Sequence, residues 1–346
     1  MSQLCINDPE QARAIYYSYS AETPSKLMEN MPTILAKQYQ LQTIHVLAVD
    51  GTPLPISVIG NGMPVLMLHA FGMDTRQFLP FILPLTNHYR FYLPHFRGFG
   101  LATALTLPNF DFIEQYAEDT EQVLKHITIE NNAATVSVAG ISMGALVMWA
   151  YFRRFGTSKV SRYLNIDQAP IIHNQSDWQG GLFGVRQAEL FAKFDKVIND
   201  TAPYLAIDDF RHLPFALKSG LLEMEKAFSL LSVGRRHSQL VVKTLNHRAP
   251  HQVALMTHAT WQHKLRCLAA YIQLPFDYRD TLAAVDIPTT LLIGGRSQLY
   301  QPKWQQRLAD MLPNATTHLL PKSGHAVPMD APVGFYRALK KFLQSS

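Results

Sequence analysis

Cysteine is scarce in this sequence of 346 residues, which contains only Cys5 and Cys267. Two cysteines so far apart form neither a disulfide framework nor a thiolate zinc site, so we expect no structural metal. Charge is sparse as well: 16% of the residues are charged, and the formal net charge of +5 is spread along the chain. Because no basic run is interleaved with aromatic residues, we expect no nucleic-acid partner.

Long apolar runs are also missing. The first ten residues have no basic segment followed by an apolar stretch, and the longest apolar stretch, around Ala139 to Phe152, is interrupted by glycine. We therefore expect no secretory signal, no membrane span and a cytoplasmic location. Hydrophobic residues make up 47% of the chain, which predicts a globular fold with a substantial core. The oligomeric state is left open.

The most informative stretch that is present is a Gly-x-Ser-x-Gly pentapeptide, Gly140 to Gly144. Thr135 to Ala139 before it has the composition of a buried strand, and helix formers follow from Met143 onward. A serine at such a junction lies in a turn too tight for neighbouring side chains, which explains both glycines. The pattern predicts that Ser142 is a nucleophile at the carboxyl edge of a sheet, beside the positive end of a helix.

Strand and helix patterns alternate along most of the chain, as in a parallel α/β sheet. Between residues 171 and 275 the alternation stops, and helical segments are predicted instead at roughly 186–198, 208–219, 221–245 and 252–274, with a break at Gly220. We predict an α/β core formed by residues 41–170 and 276–346, a helical cap at 171–275, and an N-terminal helical extension at 1–40.

Four motifs in this order resemble those of the α/β-hydrolase-fold serine hydrolases: His69 to Gly72, Arg97 to Gly100, Gly140 to Gly144, and Ser323 to His325. The resemblance covers nearly everything from Leu41 to the C-terminus. It implies a mostly parallel central sheet flanked by helices, with an inserted helical cap. The combination is specific for the fold and much less specific for a substrate.

The resemblance also implies roles for individual residues. Ser142 would attack an acyl carbon, and His325 would serve as general base and then general acid. The oxyanion hole would use the backbone N–H groups of Met143 and Phe71, although Ala70 replaces the glycine that is usual in the family. No cofactor or metal is implied.

The acid of the triad departs from the family pattern, because Ser297 stands where most relatives carry aspartate. A neutral hydroxyl cannot stabilise an imidazolium as a carboxylate does. A second location for the acid in this fold is the end of the strand that follows the nucleophile helix. Asp167 lies there and keeps the chain order Ser, Asp, His, so we predict that Asp167 is the acid. The alternative is that Asp167 only caps a turn. Three other carboxylates fit less well, and the last of them is predicted to be a helix N-cap: Asp286, Asp310 and Asp330.

Aromatic residues of the predicted cap, among them Trp178 and Phe183, are candidates for an acyl pocket that would suit medium acyl or aryl esters. The first hypothesis is therefore a carboxylic-ester hydrolase acting on a small-molecule acyl or ester substrate. The same residues also suit a carbon–carbon bond hydrolase, lactonase, thioesterase, acyltransferase or perhydrolase. A hypothesis from another class is a ligand-binding or signalling protein that has lost turnover, which the serine at position 297 favours.

Overall fold

The computed structural model describes residues 41–246 and 260–345, so the predicted extension at 1–40 lies outside the described residues. Eight strands are found in the described residues: β1 (Gln42–Leu47), β2 (Pro53–Ile59), β3 (Met63–Leu68), β4 (Tyr89–Pro94), β5 (Val136–Ile141), β6 (Val160–Ile166), β7 (Thr289–Gly294) and β8 (Ala315–Leu320). They form one sheet in the order β1-β2-β4-β3-β5-β6-β7-β8. Strand β2 is antiparallel to both β1 and β4, and the other neighbours are parallel, which confirms the predicted mostly parallel sheet.

The same described ranges contain ten α-helices: α1 (Leu79–Ile82), α2 (Phe112–Glu130), α3 (Met143–Phe155), α4 (Gln187–Thr201), α5 (Phe215–Ser232), α6 (Arg236–Asn246), α7 (Trp261–Gln273), α8 (Pro302–Ala309), α9 (Val327–Asp330) and α10 (Pro332–Gln344). None of the helices in residues 41–246 and 260–345 is both long and apolar enough to cross a bilayer.

Helices cover both faces of the sheet, and strand β3 shows why. Its side chains alternate between the faces, as in any strand. Leu66 and Leu68 belong to a core that includes α2 and α3, whereas Val65 and Met67 belong to a second core that includes α1 and α10. A strand buried on both sides needs an unbroken apolar sequence, which is the pattern that predicted this central strand.

Four helices of the described residues, α4 to α7, lie between β6 and β7, in the region predicted to be a cap. The predicted break between two of these helices at Gly220 is wrong, because α5 continues through that position. A Cβ at Gly220 would meet nothing within 4 Å, so glycine costs this helix only about 1 kcal/mol of propensity. The chain breaks instead at Gly234, which packs against the backbone of Gly324. The division of the chain into core and cap stays a prediction.

Strands β5, β6 and β7 are adjacent and parallel, so their carboxyl ends share one edge of the sheet. Ser142 follows β5, Asp167 follows β6, and Ser297 follows β7 by three residues. This edge is where ligands bind in open α/β sheets. The sheet order therefore brings the predicted nucleophile and both positions considered for the acid to one place.

Candidate active site

Ser142 occupies the turn between β5 and α3 with φ 51° and ψ −120°, a conformation that L-residues rarely adopt. The turn is tight on both sides. A Cβ at Gly140 would lie 2.7 Å from the carbonyl oxygen of Gly144, and one at Gly144 would lie 2.8 Å from that of His69. Only glycine fits at these two positions, and the strained backbone holds the Ser142 side chain away from both neighbouring elements.

Three buried side chains form a continuous hydrogen-bonded chain at the sheet edge. The Nε2 atom of His325 lies 2.8 Å from Oγ of Ser142, and its Nδ1 atom lies 2.7 Å from Oδ2 of Asp167. A carboxylate only accepts hydrogen bonds, so Nδ1 carries the proton and Nε2 accepts from the serine hydroxyl. The three residues come from distant points in the sequence. Ser142 is 8% exposed, His325 is 6% exposed and Asp167 is 0% exposed.

The Asp167 carboxylate is held by four hydrogen bonds. Its Oδ1 atom accepts from the Gly294 N–H and from Nε2 of Gln305, each at 2.8 Å. Its Oδ2 atom accepts from Oγ of Ser297 at 2.6 Å, in addition to the bond with His325. Ser297 therefore lies beside the acid on the neighbouring strand end, and its hydroxyl helps to fix the carboxylate plane. The four bonds give this fully buried carboxylate partners on both of its oxygens.

The loop that carries His325 is tied to the helices between β6 and β7. Asp330 accepts the N–H groups of Gly324 and Gly234 on one oxygen, each at 2.6 Å, and the N–H of Ala326 donates to the Ser232 carbonyl at 2.8 Å. The prediction that Asp330 is an N-cap is wrong: α10 begins at Pro332 after Ala331, and Asp330 ends the short helix α9. The two hydrogen bonds that the buried Asp330 carboxylate accepts from backbone N–H groups outweigh the local preference of the Asp-Ala-Pro sequence for a helix N-cap.

The two predicted oxyanion donors belong to residues near Ser142. Met143 is the first residue of α3, and Phe71 lines the same cavity as Ser142. Within the described residues, neither backbone N–H donates to a protein acceptor, so both remain available to a ligand.

His69 braces the loop that carries Phe71. Its Nδ1 atom donates to the Ala70 carbonyl at 2.8 Å, and its Nε2 atom accepts the Phe96 N–H at 3.1 Å. Full burial lowers the pKa of His69 to about 4, so the ring is neutral at pH 7. Both nitrogens are used within the protein, and the side chain is therefore a brace for the backbone.

His95 has a similar role on the next loop. Its Nδ1 atom accepts the Leu101 N–H at 3.2 Å, so Nε2 carries the proton and donates to Oγ of Ser57 at 3.0 Å. Burial lowers the pKa of His95 to about 3.

A small cavity of about 40 Å³ opens beside Ser142. Its walls are mainly apolar and include Phe71, Leu182, Phe194, Met224, Phe228 and Leu268, and two of its other lining residues, Glu225 and Lys264, are charged. The volume is close to that of one or two water molecules in the liquid. The wall comes from the sheet-edge loops on one side and from the helices between β6 and β7 on the other.

The two residues predicted to bind substrate do not line this cavity. Trp178 is buried against Trp304, with ring centroids 5.0 Å apart. Phe183 lies one layer behind the wall, with its ring centroid 5.7 Å from that of Phe194 and 6.2 Å from that of Phe228. Their binding role stays a prediction.

Three residues near the site were not predicted from the sequence. Nothing in the sequence signals the contact of Gln305 with Asp167, since the two are 138 residues apart. Lys264 did have a signal, because it falls on the buried face of α7 together with Trp261, Leu265 and Leu268. Its partner Glu225 lies on α5. Across residues 41–246 and 260–345, no group of three or more histidine, cysteine or acidic side chains is placed to hold a metal ion.

The sequence profile of the alpha/beta hydrolase family matches residues 65–338. This chain belongs to that family. Among similar alpha/beta hydrolases, a pimeloyl-[acyl-carrier protein] methyl ester esterase of Aliivibrio salmonicida is 21% identical over 290 residues, which cover 82% of this chain and 94% of the relative.

Two solved structures share the fold of this alpha/beta hydrolase. An esterase from Exiguobacterium antarcticum matches with a TM-score of 0.69 at 21% identity, over 88% of this chain and 100% of that chain. A bromoperoxidase from Bacillus anthracis matches with a TM-score of 0.67 at 19% identity, again over 88% and 100% of the two chains. At these identities the structural likeness concerns the fold alone.

Proposed function

We propose that this alpha/beta hydrolase cleaves carboxylic esters of small acyl groups through a serine acyl-enzyme. The observation that carries the proposal is the hydrogen-bonded chain from Ser142 through His325 to Asp167, with 2.8 Å and 2.7 Å between its heavy atoms. These distances lie within the range needed for proton transfer between a nucleophile and its base. An esterase among the family relatives supports the same reaction class.

In the first half of the reaction, His325 takes the hydroxyl proton of Ser142 as the oxygen attacks the ester carbonyl carbon. The imidazolium that forms is stabilised by Asp167, which keeps the ring oriented. The N–H groups of Met143 and Phe71 would donate to the oxyanion of the tetrahedral intermediate. His325 then protonates the leaving alcohol, and the acyl group remains on Ser142.

In the second half, water enters where the alcohol left. His325 takes a proton from this water, which attacks the acyl carbon through a second tetrahedral intermediate. Collapse of the intermediate releases the carboxylic acid and returns the proton to Ser142. Every step uses only protein groups, the ester and water, so the proposed reaction requires no cofactor or metal.

The cavity favours small acyl groups. The sequence suggested medium acyl or aryl esters, but a cavity of about 40 Å³ holds only a few non-hydrogen atoms. The buried Phe194 and the partly buried Phe228 line it. We therefore expect acetyl to butanoyl esters to react faster than octanoyl or dodecanoyl esters.

The test is a rate series on p-nitrophenyl esters from acetate to dodecanoate with the wild type and Ser142→Ala. We expect kcat to fall on the order of 10⁶-fold in the variant, which leaves no base-activated nucleophile. A fluorophosphonate should label the wild type and leave Ser142→Ala unlabelled. Equal activity of the two proteins would exclude the acyl-enzyme.

Other acyl chemistry on the same residues is separated by the acceptor. Competing hydroxylamine or hydrogen peroxide would divert the acyl-enzyme if the protein is an acyltransferase or a perhydrolase. The non-catalytic hypothesis relied on the serine at position 297, and the bond from Ser297 to Asp167 weakens that support. Absence of both turnover and fluorophosphonate labelling would favour ligand binding.

A further inference from the structure

A second cavity borders the loop that carries His325, and Ser323 and Asp330 form part of its lining. Its volume is about 490 Å³, which lies within the roughly 300–1,000 Å³ of ordinary small-molecule sites. Three segments form its walls: the turn into α6, the loop after β8, and the first turn of α10. The described lining of this second cavity shares no residue with the cavity beside Ser142, so the two are separate sites.

The charged groups in the wall of the second cavity are mainly positive. Arg235 and Lys322 line it and carry fixed positive charges, and His237 lines it with a ring that can donate a hydrogen bond. Asp330 is the one acidic residue of the described lining, and its Oδ2 atom accepts two backbone N–H groups. Two fixed positive charges against one negative charge leave a surplus of one positive charge. The rest of the wall is mostly apolar and includes Leu320, Pro321, Ala331, Pro332 and Val333.

The positive side chains of this wall lack protein partners. Neither Arg235 nor Lys322 forms an ion pair with a carboxylate of residues 41–246 or 260–345. Arg235 is partly buried, and its Nε atom is buried without a hydrogen-bond partner in the same part of the chain. A guanidinium that is partly removed from water without a counter-charge is unfavourable. A negatively charged group in the cavity would offset that cost.

Two helices begin at the second cavity. Helix α6 begins directly after Arg235, and α10 begins with Pro332, Val333 and Gly334, all of which line the cavity. No side chain caps the N-terminus of α10. The first turn of a helix carries a partial positive charge and N–H groups without intrahelical acceptors, and both favour a bound anion. The helix ends therefore add to the attraction exerted by the two unpaired cations.

We infer that the second cavity binds a small organic anion, a carboxylate or a phosphate ester with an apolar body, whose charged group contacts Arg235 and Lys322. Both kinds of head group present oxygen atoms that accept hydrogen bonds from guanidinium and ammonium groups. The apolar body would pack against the apolar part of the wall, such as Leu320 and Val333. This site lies outside the proposed ester hydrolysis and does not depend on it.

The test compares four ligands of similar size by saturation-transfer NMR titration of the full chain: benzoate, phenyl phosphate, benzyl alcohol and benzylammonium. Ligands of about ten non-hydrogen atoms reach dissociation constants on the order of millimolar. We expect such binding for the two anions and binding at least about tenfold weaker for the alcohol and the ammonium. The tighter of the two anions identifies the ligand class as a carboxylate or a phosphate ester. Equal binding of all four, or binding of none, would overturn the inference.

Substitution of the two cations tests the location of the site. Lys322 is exposed, so Lys322→Gln should fold even if Arg235→Gln does not. Each variant loses one contact with a charged group, and we expect the Kd of the tighter anion to rise about tenfold or more. The matched control is Lys340→Gln, which removes an exposed charge near the other end of α10 and should keep the wild-type Kd. An anion that binds Lys322→Gln and Arg235→Gln as tightly as the wild type lies elsewhere, and the inference fails.

Ser142→Ala separates this inference from the proposed function. The variant lacks the proposed nucleophile and keeps the lining of the second cavity, so it should bind the anions with the wild-type Kd. Because Asp330 belongs to the wall and accepts the Gly324 N–H at 2.6 Å, saturating anion should slow hydrogen exchange of the Gly324 amide. Unchanged exchange there would contradict binding in this cavity. A protein that binds the anions but hydrolyses no ester contradicts only the proposed function.

Discussion

Strands β6 and β7 lie side by side and end at the same edge of the sheet, yet they end differently. Strand β6 is followed at once by Asp167, whose φ is 51°, and strand β7 leads to Ser297 at the position where the family usually places its acid. The Ser297 hydroxyl donates to the Asp167 carboxylate at 2.6 Å. Both strand ends therefore reach one point beside His325. In this structure the end of β6 supplies the carboxylate beside His325, and the end of β7 supplies a hydroxyl that donates to it.

The largest expected effect comes from removing the acid. Asp167→Asn keeps the shape of the side chain and tolerates the positive φ, but it cannot accept from the imidazole and stabilise its charge in the same way. We expect kcat on p-nitrophenyl acetate to fall about 10⁴-fold. Asp310→Asn, a change on the short connection after α8, should leave kcat unchanged. Comparable activity of wild type and Asp167→Asn would remove Asp167 from the mechanism.

Moving the acid from one strand end to the other tests the comparison directly. The double variant Asp167→Asn with Ser297→Asp restores a carboxylate at the family's usual position. We expect its kcat to exceed that of Asp167→Asn by roughly 100-fold, which reverses about half of the increase in activation free energy caused by Asp167→Asn. The matched control, Asp167→Asn with Ser297→Asn, has no carboxylate and should show no recovery. Equal rates of the two double variants would mean that β7 cannot place an acid for His325.

A smaller effect is expected when only the supporting hydroxyl is removed. Ser297→Ala leaves Oδ2 of Asp167 with His325 as its one remaining partner, and loses a hydrogen bond to a charged group worth about 1.5–3 kcal/mol. Part of that loss should appear as a fall in kcat of about tenfold at unchanged KM, and part as a lower melting temperature. Ser137→Ala, which removes a hydroxyl near the start of β5, should alter neither kcat nor KM.

The smallest expected effect concerns His69 and His95, two buried histidines that do not belong to the hydrogen-bonded chain at the strand ends. Burial lowers the pKa of His69 to about 4 and that of His95 to about 3, from an ordinary value of 6.5. Between pH 6.5 and these lowered pKa values, the unfolded chain binds protons that the buried histidines of the folded protein do not bind. The free energy of unfolding is therefore not reduced by these histidines above pH 6.5, and it falls as the pH drops toward 4. Melting temperatures measured from pH 7 to pH 4.5 should show a shallower slope in His95→Gln than in the wild type. The exposed His88 provides a control, because His88→Gln should keep the wild-type slope.

Local patterns predicted the parts of this molecule that local rules control. The period change around Ser142, the alternation of strands and helices, and the apolar run of β3 follow from steric limits and burial within a few residues. Asp167 was predicted because the expected acid is a serine and only one other carboxylate follows a suitable strand in the right order. The structure places it 2.7 Å from His325, and its catalytic role stays a proposal.

Contacts between distant segments were beyond such rules. Gln305 reaches Asp167 across 138 residues, and Asp330 bonds to Gly234 across 96 residues. The Asp-Ala-Pro sequence at Asp330 suggested a helix cap. The two backbone donors that the carboxylate meets instead lie on loops whose positions a local pattern does not predict. The helix break assigned to Gly220 failed for a similar reason, since the close approach that requires glycine is between Gly234 and Gly324.

The shared carboxylate of Asp330 limits how this protein can be re-engineered. Gly234 and Gly324 donate to the same oxygen and leave no room for a side chain between their backbones. A chimera that exchanges the helices between β6 and β7 for those of a relative must therefore carry over the turn after α5, with its glycine. Without that turn, the graft would change specificity and at the same time release the loop that holds His325.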